Sequence, residues 1–129
     1  MPEPDRCVFC QSDRERVHEE KLVYALRDAY PVSPGHTLVV SKRHVATYFD
    51  ATVLERAAIW AAVAQVKAEL DASLHPDGYN VGFNAGSAAG QTVMHLHVHV
   101  IPRFVGDLED PRGGVRGVIP SKQNCWDRE

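Results

Sequence analysis

The chain has 129 residues, of which 44% are hydrophobic and 24% charged, an ordinary composition for one globular domain. Its formal net charge is −3 with both signs interspersed, which excludes the basic surface of a general nucleic-acid binder, so we expect no nucleic-acid partner. Met1–Asp5 lack a signal-peptide pattern, and no run approaches the roughly 18 apolar residues of a membrane span, so we expect a cytoplasmic protein without a membrane partner.

The first chemical feature along the chain is a pair of cysteines, Cys7 and Cys10. In a reducing compartment this spacing is more typical of half a metal site, or of free thiols, than of a disulfide. Two thiolates supply half of a tetrahedral zinc site, and the other ligands would come from distant positions. A redox-active pair is disfavoured because residues 11–13 follow without an obvious helix that would lower a thiol pKa. Inert thiols remain the alternative.

Two strands are predicted next. Residues 22–27 and 36–41 carry the apolar and β-branched side chains that strands favour. Pro31, Pro34 and Gly35 mark a turn between them. That turn is rigid enough to hold the ring of His36 in place.

A long helix is predicted from Thr52 to Leu74, where apolar residues recur at helical spacing. Glu55 stands three residues after Thr52, as in a capping box. The apolar surface is wide enough for both a core and a partner subunit (Ile59, Ala62, Val63 and Val66). Trp60 fits a position in the core or an interface.

The C-terminal half contains a third strand, residues 79–83, a glycine-rich loop, 84–91, and a fourth strand, 93–101. In the last strand His95, His97 and His99 alternate with apolar residues, which predicts three imidazoles in a row on one face. Residues 104–129 form a mostly irregular tail. We therefore expect one α+β domain over residues 1–129, with its core at about 7–103.

The histidine row calls for a chemical explanation. A neutral imidazole is a competent nucleophile for an α-phosphate, and its pKa lies near neutrality. Because no acidic residue neighbours the row in sequence, we expect a backbone carbonyl to orient His97. Activity should fall between pH 8 and 5, since a protonated imidazole has no lone pair. A plain metal site using all three histidines is the competing interpretation.

Residues 84–103, NAGSAAGQTVMHLHVHVIPR, closely resemble the signature of the histidine-triad superfamily of nucleotide hydrolases and transferases. The resemblance extends upstream through Asp28, the Pro-Gly-His36 turn and the Lys-Arg-His44 end of the second strand, and covers about residues 7–103. It implies a homodimeric α+β fold with an antiparallel five-stranded sheet and one long helix packed on it. The Gly-Gln-Thr leader and the segment after the histidines resemble the diadenosine-polyphosphate hydrolase branch, which is fragile-histidine-triad-like.

The resemblance also implies roles for individual residues. His97 would attack the phosphate, with His99 and His36 around its oxygens and Thr92 beside the departing group. The implied nucleotide-binding residues are Asp28 at the ribose, Asn84, Gly90, Gln91, Thr92 and His99 towards the phosphates, and Phe9 and Leu26 around the base. The implied ligands of a structural zinc are Cys7, Cys10, His44 and His95.

The sequence thus predicts a hydrolase or transferase that cleaves at the α-phosphate of a dinucleoside polyphosphate, or of a related ester or amide of AMP or GMP, through a nucleotidyl-His97 intermediate. Two alternatives remain open at this point. One is a purine-nucleoside phosphoramidase. The other is a nucleotide-binding regulatory module with little turnover.

Overall fold

The computed structural model describes residues 7–127, so the prediction for Met1–Asp5 lies outside the described residues. Five antiparallel strands form one sheet in the order β1-β2-β3-β5-β4, and one main helix packs on it, which confirms the predicted α+β architecture. The elements are β1 (His18–Glu19), β2 (Val23–Arg27), β3 (Thr37–Ser41), α1 (Val53–Leu74), β4 (Gly78–Gly82) and β5 (His97–Arg103).

Helix α1 begins where the local sequence predicts. The Thr52 hydroxyl accepts from the Glu55 N–H at 3.1 Å, and the Glu55 carboxylate accepts from the Thr52 N–H at 2.8 Å. This capping box satisfies two amide groups that a helix start otherwise leaves unpaired. The helix ends at His75, which adopts a left-handed conformation (φ 51°) before Pro76.

The main core lies between α1 and one face of the sheet. Its fully buried residues include Ile59, Ala62 and Val66 of the helix, packed against Val39 and Val98 of the central strands. These three helix side chains are fully buried in the core, so of the four residues predicted to serve both the core and a partner subunit only Val63, which is partly buried, retains exposed surface. Trp60 is 41% exposed and does not belong to the core.

The opposite face of the sheet carries a second, smaller apolar cluster. Tyr24, Leu26, Leu38 and Val40 of β2 and β3 pack there against the N-terminal segment. Because side chains alternate along a strand, His97 and His99 emerge on this second face, while their neighbours Val98 and Val100 enter the main core.

Strand β5 begins at His97 rather than at the predicted residue 93. Strand β3 ends at Ser41, whose N–H donates to the Leu96 carbonyl at 3.3 Å. The Leu96 N–H instead donates to the Val45 carbonyl at 2.8 Å, in the turn that follows β3, so the ladder between the two strands stops here. His95 therefore lies off the strand, and the predicted row of three imidazoles becomes two on β5 and one displaced.

Two further departures concern the ends of the chain. Strand β1 was not predicted, because two residues are too short to show alternation. The tail contains two short 3₁₀ turns, Gly114–Val118 and Pro120–Lys122, held by the Arg116 guanidinium on the carbonyls of Lys122 and Gln123. Among the residues described, no helix combines the length and apolar character needed to cross a bilayer.

Candidate functional site

A cavity of about 540 Å³ opens on the sheet face opposite α1. It extends from β5 across β3 to the end of β2. Eight residues singled out from the sequence line it: Phe9, Asp28, Asn84, Gly90, Gln91, Thr92, His97 and His99. Residues spread from Phe9 to His99, about seven-tenths of the sequence, therefore meet at one place.

His97 is oriented by a backbone carbonyl, as its sequence context predicts. Its Nδ1 lies 2.7 Å from the carbonyl oxygen of His95, which can only accept a hydrogen bond. The neutral ring must therefore carry its proton on Nδ1. The lone pair is left on Nε2, in a ring that lines the cavity.

His36 and His99 form a hydrogen-bonded pair with defined protonation. The Val32 N–H donates to Nδ1 of His36 at 3.2 Å, so the proton of that ring is on Nε2. This Nε2–H of His36 donates to Nδ1 of His99 at 2.9 Å. The Asp28 carboxylate lies 3.4 Å from the same His36 nitrogen, Nε2. The proton of His99 is then on its own Nε2, which remains available as a donor.

The surroundings of these rings favour their neutral forms. Burial lowers the pKa of His36 and of His97, and the Asp28 carboxylate opposes this only partly. Burial, and then the neighbouring His97 and His36 rings, lower the pKa of His99 to about 4. The loss of activity expected between pH 8 and 5 is therefore displaced to lower pH.

The turn before β3 holds His36 through a close approach of the backbone to α1. Gly35 has φ +85°, and a Cβ added there would lie 2.7 Å from Leu74 and 2.9 Å from Leu70. The Ser33 hydroxyl donates to the Pro102 carbonyl at 2.6 Å. Only glycine combines this conformation with this contact, which explains the Pro-Gly-His36 sequence.

The glycine-rich loop at the other side of the cavity is shaped by its own hydrogen bonds. Gly86 and Gly90 both have φ +94°. The Gln91 side chain is buried, accepts from the Gly86 N–H at 2.8 Å and donates to the Ala46 carbonyl at 2.6 Å. Both donors of its amide are thus engaged within the chain, which gives Gln91 a role in positioning the loop, while its predicted contact with a nucleotide stays a prediction.

The apolar end of the cavity differs from the prediction. Leu26 is 1% exposed and lies in the cluster beneath the cavity, because its neighbours Leu38 and Phe9 cover it. Leu38 lines the cavity in its place, together with residues that no motif marked: Val8, Ser12, Arg14, Ala29, Tyr30 and Val93. Those in residues 8–14 belong to an irregular segment, so only the folded chain reveals them.

Cys7, Cys10, His44 and His95 form a second group, at the N-terminal side of β5. Their ligand atoms all lie within 4.8 Å of one another. His95 Nδ1 is 3.2 Å from Cys7 Sγ and 3.4 Å from Cys10 Sγ, and His44 Nδ1 is 3.1 Å from His95 Nδ1. The four residues implied by the resemblance are thus brought together.

These distances fit zinc. Bonds of about 2.0 to 2.3 Å in a tetrahedron put neighbouring ligand atoms roughly 3.3 to 3.8 Å apart. The second ring nitrogen of His95 lies 2.6 Å from the Ser41 carbonyl and must donate to it, which leaves the Nδ1 lone pair directed at the cysteines. Two thiolates and two such nitrogens are a donor set that zinc favours.

The two groups are connected through Phe9. This residue stands between the cysteines in sequence, and its ring centroid lies 5.7 Å from that of His95 and 5.0 Å from that of His97. His95 also supplies the carbonyl that orients His97. A plain metal site of all three histidines does not fit this arrangement, because the ligand nitrogen of His95 faces the cysteines and Nδ1 of His97 faces a carbonyl.

Comparison with known proteins gives one family. The family model described as "HIT domain" matches residues 10–106. The bis(5'-adenosyl)-triphosphatase of Dictyostelium discoideum is 37% identical over 90 residues, which are 70% of this chain and 60% of that protein. The AP-4-A phosphorylase of Mycobacterium tuberculosis is 44% identical over 88 residues, 67% of this chain and 45% of that protein. The chain thus spans about half the length of these two relatives.

A solved structure agrees with the fold, and its protein is described as zinc-bound. The Zn-bound histidine triad family protein of Mycobacterium smegmatis superposes with a TM-score of 0.74 at 35% identity. The match covers 81% of this chain and 80% of that one.

Proposed function

Because this chain belongs to the HIT domain family, we propose that it is a nucleotide hydrolase with His97 as its nucleophile. Its substrate would be a dinucleoside polyphosphate or a related ester of a nucleoside monophosphate. The observation that carries the proposal is the hydrogen bond from His97 Nδ1 to the His95 carbonyl, which leaves the Nε2 lone pair for attack.

The proposed reaction has two displacements at the α-phosphorus. In the first, His97 Nε2 forms a bond to phosphorus, and the bond to the bridging oxygen breaks, with its electron pair leaving on the departing phosphate. In the second, water attacks phosphorus and the P–N bond breaks. The lone pair returns to Nε2, and the nucleoside monophosphate and one proton are released.

The other residues of the cavity have supporting roles in this proposal. The Nε2–H of His99 donates to a phosphate oxygen, and the His36 ring keeps that proton in place by donating to the other nitrogen. Thr92 and Asn84 are exposed at the cavity rim, where they would donate to the departing group. Asp28 would accept from the ribose hydroxyls, since each carboxylate oxygen has two lone pairs and, in the described part of the chain, Oδ1 accepts one hydrogen bond, from the Tyr30 N–H.

Zinc would be structural and held by Cys7, Cys10, His44 and His95. When bound, it cross-links the N-terminal segment to the turn after β3 and to the start of β5. The His95 carbonyl, which orients His97, would depend on that cross-link for its position. Zinc thiolates require reduced cysteines, which favours a cytoplasmic location.

Turnover tests the proposal directly. We expect the wild-type protein to release a nucleoside monophosphate from a dinucleoside triphosphate or tetraphosphate. His97→Ala should lower kcat by about a thousandfold or more while leaving zinc content unchanged, because His97 is not in the ligand group. Wild-type binding without product, or equal turnover by the variant, would contradict a nucleophilic His97.

We further propose that the protein is a homodimer, formed at β4 and the surface beside it. Strand β4 is an edge strand with unpaired backbone groups on its outer side. An aromatic patch adjoins its end: Phe49 and Trp60 are exposed, and beside them the partly buried rings of Tyr48 and Phe83 stack at 4.7 Å. Apolar patches of this kind mark interfaces.

Sedimentation tests the dimer. The wild-type protein should sediment as a dimer and Phe49→Glu as a monomer, whereas Val115→Glu, which alters an exposed valine of the tail, should remain dimeric. A wild-type monomer at high concentration, or an unaffected Phe49→Glu variant, would contradict this interface.

A further inference from the structure

The strand order gives the cavity a direction. His97 and His99 lie on β5, Leu38 on the adjacent β3, and Asp28 directly after β2. The Arg14 guanidinium lies one strand spacing beyond β2, on the side of β1, because it donates to the Arg27 carbonyl. That carbonyl faces the β1 side of the sheet, as does that of Ala25, which accepts from the Val17 N–H. With strands about 4.8 Å apart, three steps separate the histidines from Arg14, roughly 14 Å.

This direction matches the parts of a nucleotide. If the phosphate lies at His97 and the ribose at Asp28, then the base lies beyond Asp28, towards Arg14 and Ser12. The lining there includes the apolar side chains of Val8 and Ala29. Tyr30, which also lines this end, is 88% exposed. The base would thus meet Arg14 and Ser12 as its main polar neighbours.

Both of these side chains can donate hydrogen bonds to a ligand. A guanidinium has five N–H donors and no acceptor, and among residues 7–127 that of Arg14 makes one hydrogen bond, to the Arg27 carbonyl. The Ser12 hydroxyl oxygen accepts from the Arg14 backbone N–H at 3.3 Å, which leaves its own hydrogen free to donate. A base edge that fits here must therefore offer acceptors.

We propose that Arg14 and Ser12 select a 6-oxopurine, guanine or hypoxanthine, over adenine, an inference that rests on the proposed function. Guanine and hypoxanthine present two adjacent acceptors, O6 and N7, which match two donors of a guanidinium. Adenine presents N7 beside an amino group, whose hydrogens would face the guanidinium hydrogens. The preferred substrates then contain guanosine or inosine, unlike the adenosyl compounds that name two of the relatives.

Equilibrium binding of GMP, IMP and AMP, measured by calorimetry, tests the inference without relying on turnover. We expect the wild-type protein to bind GMP and IMP about tenfold more tightly than AMP. Arg14→Ala should remove this difference by weakening GMP and IMP alone. Arg14→Gln should shift the preference towards AMP, because an amide offers both a donor and an acceptor. The control Lys67→Ala removes a positive charge from the exposed side of α1 and should leave all three affinities unchanged.

The outcomes separate the two proposals. Equal wild-type affinities, or a preference for AMP, overturn base selection while leaving the hydrolase intact. An equal loss for all three nucleotides in Arg14→Ala overturns it too, since Arg14 would then contact a part that they share. Failure of the wild-type protein to bind any of the three overturns the proposed function as well.

Discussion

At the residue scale, the site depends on which nitrogen of each ring carries the proton. Backbone groups decide this for three of the five histidines around the two groups: the His95 carbonyl for His97, the Val32 N–H for His36, and the Ser41 carbonyl for His95. His99 then follows from His36. Hydrogen bonds to the main chain thus fix the tautomers of His97 and His99, the proposed nucleophile and the proposed phosphate donor.

The pH dependence of kcat/KM belongs to this scale. Because burial lowers the pKa of His97, and lowers that of His99 to about 4, both rings remain neutral below the pH at which an exposed histidine becomes charged. We expect kcat/KM to fall as the rings become charged, with a midpoint below pH 6.5. A pH–rate profile measured with a dinucleoside polyphosphate checks this. A midpoint at or above pH 6.5 would show that the rings titrate as exposed histidines do.

A site residue can be predicted from the sequence when its position depends on nearby residues, and not when it depends on how distant segments pack. The histidine–apolar alternation marked His97 and His99 because both lie within one strand. Leu26 was misplaced because it shares a face with the cavity residues, and only packing shows that Leu38 and Phe9 cover it. Arg14 had no signal in the sequence, since its place depends on how an irregular segment crosses the end of β2.

At the element scale, α1 is the clearest case of local causes. Thr52 and Glu55 form the predicted capping box, so the helix begins within one residue of the predicted start. The start of β5 was not predictable in this way, because it is set by the end of β3, more than fifty residues earlier. Elements are thus predictable where their ends are local, and less so where a neighbour sets them.

The Glu55 carboxylate joins the helix start to Arg43. It accepts from the Arg43 guanidinium at 2.8 and 3.0 Å, and this contact lowers its pKa from the ordinary 4.5 to about 2. We expect Glu55→Gln to lower the free energy of unfolding by about 1–3 kcal/mol at pH 7, measured by urea denaturation.

The pH dependence of that difference follows from the direction of the shift. A lowered pKa in the folded state contributes stability that is full above pH 4.5 and is lost as the pH falls towards 2. The difference in the free energy of unfolding between the wild type and Glu55→Gln should therefore become smaller as the pH falls from 4.5 towards 2. A constant gap would show that the charge of Glu55 contributes nothing to its role.

At the scale of the whole molecule, the metal group and the cavity are one assembly. Cys7 and Cys10 flank Phe9, Phe9 contacts His97, and His95, a proposed zinc ligand, supplies the carbonyl that orients the proposed nucleophile. A substitution in the metal group should therefore change both stability and catalysis, although none of its four residues lines the cavity.

Removing one thiolate tests this connection. Cys10→Ser should lose bound zinc, lower Tm and reduce kcat, because it removes one zinc ligand. Cys10 is exposed, so the substitution opens no cavity in the core that could cause these effects by itself. Zinc content by mass spectrometry, thermal unfolding and turnover are the three measurements. Cys125→Ser is the matched control, since Cys125 is an exposed cysteine outside the group and should change none of them. Full zinc content in Cys10→Ser would contradict the four-ligand site.

The central claim is that one nitrogen, Nε2 of His97, captures the nucleotide, and the intact mass of the protein tests this most directly. Within milliseconds to seconds of mixing with a dinucleoside polyphosphate, the mass should rise by one nucleoside monophosphate group, and peptide mapping should place the addition on His97. His97→Ala should show no addition. A rapid burst of product without any adduct, or an adduct on another residue, would contradict the account.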